Sequence, residues 1–219
     1  ANAALVSPNV PYVRDCYGKA LNRVEEFDRA AAQFLKALDL AEQMPERNKE
    51  ERGAKNKTMA EALKNLGVYY SDRGEYYRAS GYYERAIELD PASFEAGRGL
   101  VEVYQKQGQW AEVAEEYRRL LTLRPHEPEV LNNLADVYLN HPLETGASAQ
   151  SAVDLATQAC EMTGWARWQI VLTLAEAHLA AGDTVQAQRR LQQARGLAPD
   201  EPQAREALSK VQSRLPSSP

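Results

Sequence analysis

Residues 60–93 read AEALKNLGVYYSDRGEYYRASGYYERAIELDPAS. Leu63, Leu66, Gly67 and Tyr70 mark its first half, Ala79, Tyr83 and Ala86 its second, and Pro91 closes it. The alanines let two helices approach closely, while Leu66 and Tyr70 fill the space between them. Pro ends the second helix and starts the next connection. A helical pair of this length cannot bury its apolar faces alone, so neighbours must stack on it. The stretch predicts a scaffold and leaves its ligand open.

The same spacing extends to both sides. One repeat onward, Leu100, Tyr104, Gly108, Tyr117 and Pro125 stand in the places of Leu66, Tyr70, Gly74, Tyr83 and Pro91, with Val113 and Leu120 replacing the two alanines. Leu131, Leu134, Ala135 and Tyr138 open a fourth unit, which Asn140 through Gly146 interrupt before Ala152, Ala156 and Ala159 resume the small-residue pattern. Leu174, Ala175, Gly182, Ala187, Leu191, Ala194 and Pro199 make a fifth, where His178 takes the tyrosine position. Tyr17, Gly18, Leu21, Ala30, Phe34 and Ala37 make a first. The expected repeats are 11–44, 60–93, 94–127, 128–165 and 168–201, after an extension over 1–10. The mixed-charge segment from Pro45 to Lys57 reads as a solvated loop or an extra turn of helix. A capping helix is expected over 202–215, with Ala204, Leu208, Val211 and Leu215 down one side, followed by a disordered tail, 216–219.

Composition agrees with an all-α chain. Of 219 residues, 44% are apolar and 26% charged, helix formers recur throughout, and no alternating β-branched run is visible. The net charge of −5 argues against DNA or RNA as the main partner, because phosphate binding rests on basic surface. No apolar run reaches the roughly 20 residues needed to cross a bilayer, so the chain is not integral to a membrane. Ala1 to Val10 lacks a signal-peptide pattern, and a start without Met is compatible with trimming. A cytoplasmic location and, after removal of a leader, a periplasmic one both stand. Cys16 and Cys160, about three repeats apart, are expected as buried or half-buried thiols without a disulfide.

These positions resemble the tetratricopeptide repeat (TPR) family, whose pattern is W-x2-L-G-x2-Y…A-x3-F…P, with Leu63 here in the place of Trp. The resemblance covers residues 11–215. It implies a right-handed superhelical solenoid of about five helix pairs plus a cap, in which the first helix of each repeat lines a concave groove. Carried onto this sequence, the groove positions are Asp15, Lys19 and Arg23; Lys64, Asn65, Val68 and Asp72; Glu95, Arg98, Glu102, Gln105 and Lys106; Glu129, Asn132, Asn133, Asp136 and Asn140; and Gln169, Leu172 and Glu176. The site expected for a peptide or protein segment is Lys64, Asn65, Arg98, Glu102, Asn132, Asn133 and Asp136, groups able to bond a peptide backbone or carboxylate. The Lys/Asn clamp of chaperone-binding TPR proteins is absent, since Val68, Gly99, Glu129 and Asn133 fill its slots. Residues 152–183 also resemble the closing repeats of large bacterial TPR proteins, some attached to membrane glycosyltransferases. That resemblance implies a bacterial source and allows a second role, as a substrate-recruiting or regulatory region of a larger enzyme.

Chemistry has no foothold in the pattern. His126, His141 and His178 have no His or Cys at i+3 or i+4, and no phosphate loop or nucleophile elbow occurs, so no cofactor, metal or catalytic residue is expected. Glu25-Glu26, Glu50-Glu51 and Glu115-Glu116 read as solvated charge. Of eleven tyrosines, Tyr69 and Tyr77 are the freest to form a contact surface. Trp168 would cap the apolar layer, and Trp165 would stand exposed as a partner contact. End-to-end self-association is compatible with such an array. The sequence-level reading is a non-catalytic adaptor that captures a peptide or extended protein segment and assists complex assembly.

Overall fold

The computed structural model describes residues 11–22, 25–45 and 48–215. The expected extension over 1–10, the groove residue Arg23, Glu46 and Arg47 of the charged segment, and the tail 216–219 lie outside the described residues. Among those described there are twelve α-helices and no strand. They run α1 Pro11–Asn22, α2 Phe27–Glu42, α3 Lys49–Asp72, α4 Tyr76–Leu89, α5 Phe94–Gln107, α6 Trp110–Leu123, α7 Pro128–Asn140, α8 Pro142–Thr145, α9 Ala149–Met162, α10 Trp168–Ala180, α11 Thr184–Leu197 and α12 Pro202–Arg214. The chain divides into two compact units, Ala1–Gln109 and Trp110–Pro219, with the boundary inside the third expected repeat.

In the first unit, aromatic rings from second helices insert against glycines of first helices. A Cβ on Gly18 would lie 2.5 Å from the Phe34 ring, one on Gly67 2.7 Å from the Tyr83 ring, and one on Gly99 2.5 Å from that same ring. Only a residue without a side chain permits this approach. Ala30, Phe34 and Ala37 of α2 pack with Leu21 of α1 and with Ala62 and Leu66 of α3. Ala79, Tyr83 and Ala86 of α4 pack with Leu63 of α3 and with Ala96, Leu100 and Val103 of α5. Tyr70 stacks on Tyr82 with ring centroids 5.2 Å apart.

Of the two readings of 45–57, solvated loop or extra helix, α3 takes the helical one from Lys49 onward. It begins at Lys49, where the Asn48 side chain accepts the Glu51 amide at 2.8 Å, and runs 24 residues. An N-cap asparagine and two acidic residues in the first turn satisfy orphan amides and match the helix dipole. The Lys55 ammonium donates to the Glu42 and Met44 carbonyls at 3.2 and 3.3 Å, at the end of α2.

A large core of the second unit is built from Leu131 and Ala135 of α7, Ala152, Ala156 and Cys160 of α9, Ile170 and Leu174 of α10, Ala187 and Leu191 of α11, and Leu208, Val211 and Leu215 of the terminal segment. The interruption after Asn140 contains α8, and His141 stacks on Trp110 at 3.7 Å between ring centroids.

Three local expectations are corrected. Trp165 is half-buried rather than exposed: it packs against the core, and the Arg190 guanidinium lies 4.4 Å from its ring centre. Glu116 is buried rather than solvated, held by both oxygens on Arg119 at 2.6–2.9 Å. Cys16 is exposed, whereas Cys160 is buried, and both thiols are free.

Ala79 has no exposed surface and sits where α4 meets its neighbours. Ala79→Leu is expected to destabilise the chain by about 1–3 kcal/mol through overpacking, read as a lower urea midpoint without a change in slope.

Candidate functional site

In the first unit the expected donors are largely tied to one another. Asp15 is 3% exposed and accepts from Lys19 at 2.7 Å and from the Asn65 amide at 3.2 Å. Lys19 also donates to Glu61 at 3.0 Å, and Glu61 pairs with Lys64 at 3.0 Å. The chain Asn65–Asp15–Lys19–Glu61–Lys64 thus joins α1 to α3, and Lys64 and Asn65 are half-buried. Burial acts against both charges, yet the hydrogen bonds outweigh it: Asp15 and Glu61 raise the pKa of Lys19, and Lys64 and Lys19 lower that of Glu61.

Beside this network lies a less committed surface. Val68 and Asp72, four residues apart on α3, are exposed, as are Arg98 and Glu102, four apart on α5. Among the described residues the side chains of Asp72, Arg98 and Glu102 make no hydrogen bond or ion pair. Between the two helices comes Tyr83, 3% exposed, with its hydroxyl 2.7 Å from where a Gly99 Cβ would stand. Burial, then the Glu102 and Asp72 carboxylates, push the phenol well above its usual pKa.

In the second unit, Asn132, Asn133 and Asp136 all lie on α7. The Asn132 side-chain oxygen is buried without a hydrogen-bond partner, and Asn133 is exposed. Asn140 donates to the Asp136 carbonyl at 2.9 Å and to its carboxylate at 3.0 Å. Asp136 as a residue is exposed, but its carboxyl is shielded enough that desolvation raises its pKa. Glu176 on α10 is raised by burial too, against the pull of Arg214 at 3.5 Å and with the Asp136 charge adding to the rise. The expected site therefore divides: Lys64, Asn65, Arg98 and Glu102 belong to the first unit, and Asn132, Asn133 and Asp136 to the second.

Sequence reasoning left out Glu61, the acid that ties Lys64, and gave Tyr83 a packing role alone. The signal for the second was present in Gly99, whose missing Cβ leaves room for the Tyr83 ring and hydroxyl. Among the described residues no group of three or more His, Cys, Asp or Glu could hold a metal ion, and no helix is long and apolar enough to cross a membrane.

Profiles of the tetratricopeptide repeat match residues 60–93 and, in a second version, residues 98–160 and 172–215. The chain belongs to the TPR family. No curated protein matches it. Among solved structures, the TPR protein YrrB, described as having an unusual peptide-binding site, is 18% identical, with a TM-score of 0.74 over 95% of this chain and 96% of YrrB. MamA is 17% identical, with a TM-score of 0.65 over 91% of this chain and 94% of its own. PilF of Pseudomonas aeruginosa is 15% identical, with a TM-score of 0.60 over 93% of this chain and 85% of its own. At these identities the likeness concerns the TPR fold. The family assignment makes the chain a protein-interaction scaffold.

The pKa of Glu61 is lowered on folding, so its contribution to stability is present above its usual value of about 4.3 and fades as pH falls through the lowered one. Lys19, raised, contributes below about pH 10.4 and loses its share as pH rises through its folded value. Both side chains are more than a third exposed, which keeps the effect small. Glu61→Gln is expected to cost about 0.5–1 kcal/mol at pH 7, with a smaller difference from wild type at acid pH, below the lowered value. Urea titrations at the two pH values measure it.

Proposed function

We propose that this TPR chain is a non-catalytic adaptor that holds a peptide or an extended protein segment along the face formed by its first helices, and so assists assembly of a complex. The observation that carries this reading is the surface beside Tyr83. Val68, Asp72, Arg98 and Glu102 come from the first helices of successive repeats, stand exposed, and leave three charged side chains unengaged. An extended backbone needs donors and acceptors spaced along a groove, with some apolar surface to anchor side chains. Lys64 and Asn65 serve this face indirectly, by fixing α3 against α1 through Glu61 and Asp15. In the second unit, taken by itself, Asn132, Asn133 and Asp136 on α7 would present polar groups to a segment held there. A recruiting role within a larger enzyme would use the same face.

Selection of displayed random peptides on the full chain tests this reading. Selected peptides are expected to bind Val68→Asp/Arg98→Glu at least tenfold more weakly, about 1.4 kcal/mol, by fluorescence anisotropy. Equal affinity for wild type and variant would place the binding surface elsewhere.

A further inference from the structure

Val68 breaks the pattern of its register. Two residues beyond Tyr17, Leu100, Leu134 and Leu174, the other repeats carry a charged side chain: Lys19, Glu102, Asp136 and Glu176. Val68, two beyond Leu66, is the apolar member of the set, and it stands 41% exposed. Phe27 is similarly placed. It opens α2 as Tyr76 opens α4 and Trp110 opens α6. Tyr76 is half-buried, and the Trp110 ring is covered by His141 stacked on it. Phe27 is left 50% exposed.

These two side chains line one cavity of the first unit. It measures about 320 Å³ and is bounded by Asn22 at the end of α1, Phe27 of α2, and Val68, Tyr69, Asp72 and Arg73 at the end of α3. Ligand pockets run from about 300 to 1,000 Å³, so this one suits a single large side chain. Its wall is already fixed. The Tyr69 hydroxyl donates to Asp28 at 2.6 Å, Arg73 donates to the same carboxylate at 3.2 Å, and the guanidinium lies 5.4 Å from the Tyr69 ring centre. Side chains held in this way need little further ordering when a ligand arrives. The charges at the rim are unequally matched. Arg73 is paired with Asp28 and, at 3.7 Å, with Glu75. Asp72 is exposed and makes no hydrogen bond or ion pair among the described residues. An apolar lining therefore meets a carboxylate that lacks a counter-charge.

We propose that the cavity between Phe27 and Val68 takes a large apolar side chain of the bound peptide, and that Asp72 pairs with a basic residue next to it. This rests on the peptide-binding reading and adds the class of ligand, a segment carrying an apolar–basic pair. Removing Phe27 and Val68 from water supplies the attraction. The unmatched carboxylate supplies selection, since it favours a basic neighbour and repels an acidic one. Phe27, Val68 and Asp72 are then the residues that determine which segments the first unit accepts.

The probe is acetyl-Ala-Ala-Phe-Lys-Ala-Ala-amide, titrated into the 15N-labelled full chain beside two relatives, one with alanine in place of phenylalanine and one with glutamate in place of lysine. The phenylalanine–lysine peptide is expected to shift the Val68, Tyr69 and Asp72 amides. It is expected to bind about tenfold tighter than the alanine peptide and about threefold tighter than the glutamate peptide. The preference for phenylalanine is expected to disappear in Phe27→Ala and in Val68→Glu, both at exposed positions. Asp72→Asn is expected to keep that preference and to make lysine and glutamate equal. Equal binding of the phenylalanine and alanine peptides overturns the proposal, as does a preference that survives both apolar variants. A lysine–glutamate difference unchanged in Asp72→Asn overturns the role of Asp72. If peptides selected on the full chain weaken in Arg98→Glu while the phenylalanine–lysine peptide shifts none of these amides, the cavity proposal falls and the peptide-binding reading stands. If no peptide of either kind binds, both fall.

Discussion

The first unit depends on aromatic rings pressed against glycines. Tyr83 crosses from α4 into the gap between α3 and α5, and contact at Gly67 and Gly99 is closer than any Cβ would allow. Phe34 does the same at Gly18. Interiors pack as densely as organic crystals, so one ring held on two sides fixes the spacing of its neighbours. Ala79 and Ala86, each with no exposed surface, let α4 come near enough for the ring to reach. The repeat is thus a matched set: small residues on both helix types, and one flat side chain between them.

That close approach governs what the charged residues can do. Bringing α1 and α3 together puts Asp15, Lys19, Glu61, Lys64 and Asn65 within bonding distance of one another. Each half-exposed pair is worth little in stability, about 0–1 kcal/mol. Their effect is to fix rotamers and to remove five polar groups from the pool available to a ligand. Between α3 and α5 the arrangement differs, because the glycines and the tyrosine occupy the contact and leave Asp72, Arg98 and Glu102 unengaged. One face thus carries a self-satisfied half and a receptive half.

The fold was legible because packing residues repeat with a fixed spacing. Leu66, Ala79, Tyr83 and Ala86 announce burial by their size and interval, and all four are buried. The all-α class follows from the same pattern. The site was less legible because spacing along a helix says which face a residue shares, not which neighbour will claim it. Lys64 looked like a free donor until Glu61, three residues back, proved to bind it. Glu116 looked solvated until Arg119 closed on it from the next turn. Trp165 was misjudged for another reason. Its φ of 61° is rare for a side chain of that size, and no sequence rule would place the ring under Arg190.

Helix α3, at 24 residues, rises about 36 Å, against about 21 Å for the 14 residues of α4. Its first turns therefore reach beyond its partner and meet the end of α2, where Lys55 covers the Glu42 and Met44 carbonyls. A helix end left with bare carbonyls frays, and a cation there offsets the dipole. Two segments that look separate in the sequence consequently protect one another. Unwinding the start of α3 would strip the finish of α2, so hydrogen exchange at both should follow a single opening event.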